Sequence, residues 1–233
     1  MFYYYGRKKQ IARHYPKPQF DTIVEPFAGA ASYAMHKENW KLRVVLIEKD
    51  PKVCDVWHWL IDEATEESIR KLPDLRTGEK SSEFLHIVHA ATKMAFKYRT
   101  IKVTPVLERN WEISKRVMAC SVHKVKHWEL IEGDYRVSPD IEATWFIDPP
   151  YKHAPGDGYA FGSKQMDYEK LADWTMDRRG QLICCEGEFG DYLPFETLLE
   201  LPGVAGKISQ EKIYHRLCLS RAQKDLFGEP IIN

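Results

Sequence analysis

The side chains best suited to ligand chemistry fall in a few short motifs: Glu25-Pro26-Phe27-Ala28-Gly29-Ala30, Glu48, Asp134 and Asp148-Pro149-Pro150-Tyr151. Two successive prolines after an apolar run fix the backbone and leave carbonyls without competing local amides. Asp148 and the Pro149 carbonyl can then accept hydrogen bonds from one planar amine, with Tyr151 placed to stack on the ring that carries it. The competing reading is a strand-ending turn with a buried tyrosine. Ala28, Gly29, Ala30 and Ala31 lack bulk, so a ligand can touch the backbone there, although small residues at such a turn also serve plain packing. Glu48 follows Phe27 by about twenty residues, the spacing at which an acidic side chain accepts from both hydroxyls of a ribose. No basic residue stands at a phosphate-cradling spacing, which favours a ribose-containing ligand without phosphates.

The elements that must position these groups follow from hydropathy. Asp21–Phe27 reads as a strand, Ala28–Ser32 as a turn, and Tyr33-Ala34-Met35 as the start of a helix. Leu42–Ile47 is a second strand, followed by a helix with Val53, Val56, Trp57, Leu60 and Ile61 on one face. Strand, helix, strand, helix predicts a parallel sheet with crossover helices. The alternation then stops. A loop at Leu72–Gly78 precedes a helix capped by Ser81 or Ser82, with Phe84, Ile87, Val88, Ala91, Met94, Ala95 and Tyr98 as its apolar positions. Arg99–Pro105 reads as a loop or short hairpin and Leu107–Cys120 as another helix. Strands are expected at Trp128–Ile131, Ala143–Ile147, Gln181–Cys185 and Glu211–Leu219, with a loop over Lys152–Gln165 and a helix over Tyr168–Met176. The fold expected is α/β: a Rossmann-like sheet with helices on both faces and a mostly helical insertion. Residues 1–53 and 122–233 form the ligand-binding part and 54–121 the insertion. Each chemical motif ends a predicted strand, the edge at which open α/β sheets bind ligands.

The 233 residues suffice for one core and a small inserted module, and 44% hydrophobic with 29% charged residues is ordinary for a globular protein. No apolar run is long enough to cross a bilayer and no signal-peptide pattern follows the basic N-terminus, so a cytoplasmic protein is expected, with no membrane partner. Cys54, Cys120, Cys184, Cys185 and Cys218 are scattered, which predicts reduced structural cysteines and no metal site. Formal net charge is +0, but basic residues segregate. Arg7, Lys8, Lys9, Arg13, His14 and Lys17 crowd the N-terminus among Tyr3, Tyr4, Tyr5 and Tyr15. Lys93, Lys97, Arg99, Lys102, Arg109, Lys115, Arg116, Lys124 and Lys126 crowd the insertion and the segment after it. Such segments present either a phosphate-binding face or a solvated helical one.

In the same order along the chain, these motifs resemble the Dam-type DNA adenine-N6 methyltransferases of the alpha group. Tyr5-Gly6-Arg7-Lys8 is similar to the N-terminal segment that meets the methionine part of the cofactor. Glu25-Pro26-Phe27-Ala28-Gly29-Ala30-Ala31-Ser32 is similar to the cofactor loop, Glu48 (beside Lys49) to the ribose ligand, and Asp134-Tyr135 to the segment that meets the cofactor adenine. Asp148-Pro149-Pro150-Tyr151 is similar to the catalytic tetrapeptide, and Asp148 to a residue that also borders the cofactor. The resemblance implies a class I methyltransferase sheet, S-adenosyl-L-methionine as cofactor, and double-stranded DNA as partner of a monomer or weak dimer. It also implies that the adenine is flipped into the tetrapeptide pocket, and that the enzyme works in a bacterial or phage-infected cytoplasm close to the nucleoid. Lys9, Arg13, Lys93, Lys97, Arg99, Lys102, Arg109, Arg116 and Lys124 are the expected DNA contacts. The chain departs from the family pattern in two places. Ala31 stands where a second glycine is usual, and the insertion lacks the Gly-x-Phe-Asn-x-Pro-like stretch associated with readers of GATC. Related tetrapeptides serve RNA-base, cytosine-N4 and protein-glutamine methyltransferases, and a catalytically silent DNA-binding relative would keep the same fold.

Overall fold

The computed structural model describes residues 1, 2, 4, 6–81, 101–153, 156–202 and 208–218. Its strands are β1 (Thr22–Glu25), β2 (Arg43–Glu48), β3 (Lys80–Ser81), β4 (Ile101–Lys102), β5 (Glu129–Glu132), β6 (Glu142–Ile147), β7 (Arg179–Glu186), β8 (Glu196–Pro202) and β9 (Ile208–Cys218). The α-helices are α1 (Pro51–His58), α2 (Glu66–Arg70), α3 (Pro105–Ser121) and α4 (Tyr168–Met176).

Seven strands form one sheet in the order β5-β2-β1-β6-β7-β9-β8, while β3 and β4 pair separately. All pairings from β5 to β7 are parallel, and β9 runs antiparallel between β7 and β8. This mixed α/β sheet is compatible with the Rossmann-like arrangement. The chain winds outward from β1 through β2 to β5, then returns to β6 on the other side of β1. The strand order therefore reverses between β1 and β6. Side walls of a crevice diverge at such a point, beyond the carboxyl ends of the two strands.

Both faces of the parallel strands are covered, which explains their near-continuous apolar sequences. Ile23, Val44, Leu46, Phe146, Ile183 and Cys185 belong to one buried cluster with Val53, Val56 and Trp57 of α1. Their chain neighbours Val24, Val45, Ile47, Trp145, Leu182 and Cys184 belong to a second cluster with Leu171 of α4. Alternation with period two thus assigns each strand residue to one face. Helix starts are fixed by local chemistry: Asp50 accepts from the Lys52 amide and Pro51 opens α1, Thr104 accepts from the Leu107 amide and Pro105 opens α3, and Asp167 accepts from the Lys170 amide at α4.

Several expectations change. Tyr33–Met35 does not begin a helix; residues 32–38 form successive turns, with Lys37 at φ 49°. Tyr33 is held instead by stacking on Phe146, ring centroids 4.3 Å apart, and its hydroxyl donates to the Pro16 carbonyl at 2.8 Å. Ser81 lies in β3, and Ser82 and the helix expected after it lie outside the described residues. β8 was not expected, and β9 begins three residues earlier than Glu211, at Ile208. The boundary placed between residues 53 and 54 falls inside α1, and Leu107, Trp111 and Met118 of α3 share the cluster that contains Trp57. Cys54, Cys184 and Cys185 are free and buried, while Cys120 is free and exposed. Among the described residues no helix is long and apolar enough to cross a membrane.

Gly180 sits at φ +103°, and a Cβ there would lie 2.2 Å from the Ala143 carbonyl oxygen of the paired strand. Backbone cannot yield as a side chain does. Gly180→Ala is expected to cost about 3 kcal/mol or more in urea unfolding. Gly78→Ala, at φ +95° with nothing within 4 Å, should cost only about 1 kcal/mol.

Candidate functional site

The loop after β1 is shaped by Glu48 at the end of the neighbouring β2. The Glu48 carboxylate accepts from the amides of Gly29, Lys49 and Asp50, each at 2.9 Å. The Gly29 carbonyl in turn accepts from the Trp57 indole at 2.8 Å, so this peptide is clamped on both sides. Gly29 adopts φ 46°, and a Cβ there would meet the Tyr4 ring at 3.0 Å. Ala31 also adopts φ 46°. The alanine found where the resembled family has glycine therefore takes the left-handed conformation, at a cost of about 1 kcal/mol for an L-residue. Glu25 is 2% exposed and accepts from the Ala34 amide at 2.7 Å, which ties the turns to β1.

The crevice between β1 and β6 is a cleft of about 910 Å³ up to its open mouth. Among the residues anticipated from sequence, Gly6, Lys8, Glu25, Pro26, Phe27, Ala28, Gly29, Ala30, Ser32, Glu48 and Lys49 line it. Asp134, Tyr135, Asp148 and Pro150 line it from the other strands. Pro149 is buried behind this wall, and the Pro150 carbonyl accepts from the Tyr168 hydroxyl at 2.6 Å. Tyr5 lies outside the described residues. The wall also holds Arg7 of the Tyr5–Lys8 segment, together with Tyr4, Asp50, Tyr159, Phe161 and Met166, which were not anticipated. Phe27 stacks on Tyr135 with centroids 5.5 Å apart.

Electrostatics divide the cleft. At the β2 end, burial raises the pKa values of Glu48 and Asp50. Asp50 is 6% exposed, and its Oδ2 has no hydrogen-bond partner among the described residues. Burial pushes Asp134 up, but Arg136 at 2.7 Å and Lys49 at 3.3 Å hold its carboxyl below the usual range. Burial raises Glu25 to about 8.

At the β6 end, the Lys8 ammonium lies 3.0 Å from Asp148 Oδ1 and 3.4 Å from Glu211 Oε1. It also donates to the Tyr151 hydroxyl and sits 4.1 Å from the centre of the Tyr151 ring. Tyr151 and Tyr15 both donate to Glu211 Oε1, each at 2.5 Å. The hydroxyl of Tyr151, whose ring is expected to stack on a base, is therefore taken up by Lys8 and Glu211. Lys8, expected at the methionine part of a cofactor, instead meets the tetrapeptide. Burial would lower the Lys8 pKa, yet Asp148 and Glu211 hold it above its ordinary value. Glu211 was missed as a site residue. Its signal was an acid in phase with Ile213 on the inward side of an alternating strand; both are buried.

The basic residues scatter in role. Lys9, Arg13, Lys102, Arg109 and Arg116 are exposed, whereas Lys124 is half-buried over the Trp40 ring, 5.4 Å from its centre. Lys93, Lys97 and Arg99 lie outside the described residues. Lys115 donates to the Leu72 carbonyl at 3.0 Å, and Lys126 to those of Leu60 and Ile61 at 2.9 and 3.0 Å. These two lysines bind backbone carbonyls just beyond α2 and α1. Tyr15 is buried on Glu211 and Tyr4 covers Gly29, so neither belongs to an exposed aromatic and basic face.

The arrangement can hold a ligand with hydroxyl donors at Glu48, a flat apolar part against Phe27, and an amine at Asp148. Carboxylates of Glu48, Asp50, Asp134 and Asp148 outweigh the cations of Arg7, Lys8 and Lys49 on the wall, which suits a ligand without phosphates. Comparison of the chain with protein-family models and with curated proteins finds no match.

Glu25 gives the cleft floor a pH signature. Its folded-state value of about 8 lies above the ordinary 4.5, so the stability of its neutral form is complete below pH 4.5 and is lost as pH rises to 8. Glu25→Gln keeps an acceptor for the Ala34 amide and has no proton to lose. The variant should gain steadily on the parent from pH 4.5 to 8 in denaturant unfolding; parallel stability curves would show that Glu25 titrates normally.

Proposed function

We propose that the protein is an S-adenosyl-L-methionine-dependent methyltransferase acting on the N6 amine of adenine in double-stranded DNA. The observation that carries this reading is the position of Asp148: a recessed carboxylate, its side chain 21% exposed, facing the same cleft as Glu48 and the Gly29 loop. An amine bound to Asp148 and a nucleoside bound to Glu48 would share one cleft at the strand-order reversal. The Lys8 ammonium on Asp148 is itself an example of a nitrogen donor accepted at that point.

The cofactor's chemical groups suit the residues present. Glu48 suits ribose hydroxyls, Phe27 beside Tyr135 suits a purine face, and the loop from Ala28 to Ala31 leaves room for close approach to backbone. Bound there, S-adenosyl-L-methionine supplies an electrophilic methyl group on a cationic sulfonium. The protein's contribution is positioning and charge. Asp148 accepts a hydrogen bond from an N–H of the target amine, which orients the nitrogen lone pair. Its carboxylate is also placed to receive the proton that the methylated amine gives up. Burial raises Asp148 to about 6, with Glu211 adding to the rise and Lys8 opposing it, so the carboxylate is ionised at neutral pH. A paired adenine cannot reach a recessed carboxylate, so the base must leave the duplex, at a cost of about a few kcal/mol. Exposed Lys9, Arg13, Lys102, Arg109 and Arg116 supply cations for the phosphates.

The test is transfer of tritiated methyl from S-adenosyl-L-methionine to duplex DNA, structured RNA and peptides, followed by nucleoside analysis. Label in N6-methyladenine of DNA is expected. Asp148→Ala should lower transfer about a hundredfold or more while cofactor affinity stays within about tenfold. Full activity of that variant would remove Asp148 from the chemistry. Label in RNA, cytosine or peptide would reassign the substrate, and cofactor binding with no product on any of them would indicate a silent relative.

A further inference from the structure

Asp148 does not stand alone in its pocket. Lys8, 7% exposed, comes from the N-terminal segment and Glu211, 5% exposed, from β9. Neither neighbours Asp148 in sequence. Two carboxylates therefore share one ammonium, at 3.0 and 3.4 Å, with Lys8 and Glu211 shielded from water and Asp148 facing the cleft. Two like charges crowded in a dry site cannot both ionise readily, whereas a cation between them permits it. The two phenol hydroxyls on Glu211 Oε1 lock that carboxylate in position, one from Tyr15 and one from the tetrapeptide's own Tyr151.

We propose that Lys8 and Glu211 are positioning residues that set the charge of Asp148: Lys8 keeps it an ionised acceptor, and Glu211 sets how strongly it holds a proton. This deepens the reading of the cleft as an amine-methylating site and rests on it only for the purpose of the charge. Glu211 and Lys8 act through opposite signs on the same carboxylate. Removing Lys8 leaves two uncompensated acids and drives Asp148 towards its neutral form. Neutral Asp148 carries a proton of its own and loses much of its capacity to accept one from a methylated amine. Removing the Glu211 charge as well restores the balance from the other side.

The other groups that face Asp148 are Tyr4, Tyr15, Tyr151, Glu25 on β1, and Cys184, Cys185 and Glu186 on β7. Burial pushes the tyrosines and cysteines up, so they stay protonated through neutral pH. Burial also raises Glu25 to about 8 and Glu186 to about 7, so both titrate above Asp148 at about 6. A label confined to aspartate separates Asp148 from these glutamates.

The experiment is a carbon-13 NMR titration of the full chain labelled at aspartate Cγ, with the Asp148 signal assigned by its loss in Asp148→Asn. The parent midpoint is expected near 6. Lys8→Met should raise it by about one pH unit or more, Lys8→Met/Glu211→Gln should recover at least about half of that rise, and Glu211→Gln alone should lower it below the parent. An unmoved midpoint in Lys8→Met, or a double variant no lower than Lys8→Met, overturns the proposal. Should Lys8→Met fail to fold, Glu211→Gln decides: a lowered midpoint supports the charge setting, and an unchanged one overturns it. The acid limb of methyl transfer should move with the NMR midpoint. A parent that transfers no methyl overturns the proposed function while leaving the titration to decide the charge setting.

Discussion

A lysine ammonium shared by the buried Glu211 and the recessed, partly exposed Asp148 is the interaction on which the cleft depends. The Lys8 Nζ contacts Asp148 on the loop after β6 and Glu211 on β9, so it ties the N-terminal segment to a central strand and to the antiparallel one. Burying any one of these charges alone would be prohibitive in a medium of low dielectric constant. Together, and with Tyr15 and Tyr151 hydroxyls on Glu211, they form a network whose members fix one another. The N-terminal segment is therefore part of the cleft wall. Its Tyr4 covers Gly29, its terminal amine donates to the Ala30 carbonyl at 2.6 Å, and Gln19 bonds Thr144 and Gln181 across the far end of the sheet.

Opposite this network, the β2 end of the cleft is organised by backbone. Glu48 gathers three amides from two loops, and the indole of Trp57 holds the Gly29 carbonyl from the first crossover helix. One end of the cleft thus offers a paired carboxylate and the other a carboxylate embedded in amides, with an unpaired Asp50 oxygen beside it. This asymmetry distinguishes the two ends chemically. The left-handed Ala31 is the strained point of the arrangement, in a loop that otherwise relies on small residues.

Local chemistry made much of the fold legible in the chain. Apolar runs ending in Glu25, Glu48 and Asp148 marked the strands, because parallel strands covered on both faces need uninterrupted apolar residues. Asp50-Pro51, Thr104-Pro105 and Asp167 marked helix starts through capping. The cleft-facing motifs were legible because each ends an apolar run, and the carboxyl ends of the parallel strands meet where the strand order reverses. β8 escaped notice because Glu196–Pro202 is built largely of leucine and glutamate, which carry helical rather than strand propensity, and pairing with the adjacent β9 overrides it. The turns over 32–38 escaped because Tyr33 obeys its stacking on Phe146 rather than a helical propensity shared by its neighbours.

The sequence by itself determined which residues are capable of chemistry and which strands carry them, since residue type, capping and apolar period are properties of short windows. Only the tertiary structure decided that Lys8 belongs to Asp148, that Glu211 is the second acid, and that Lys115 and Lys126 bind carbonyls beyond α2 and α1. Those pairings join residues far apart in the chain. Their physical reason is the packing of β6, β9 and the N-terminal segment around a space too dry to leave a charge unpaired.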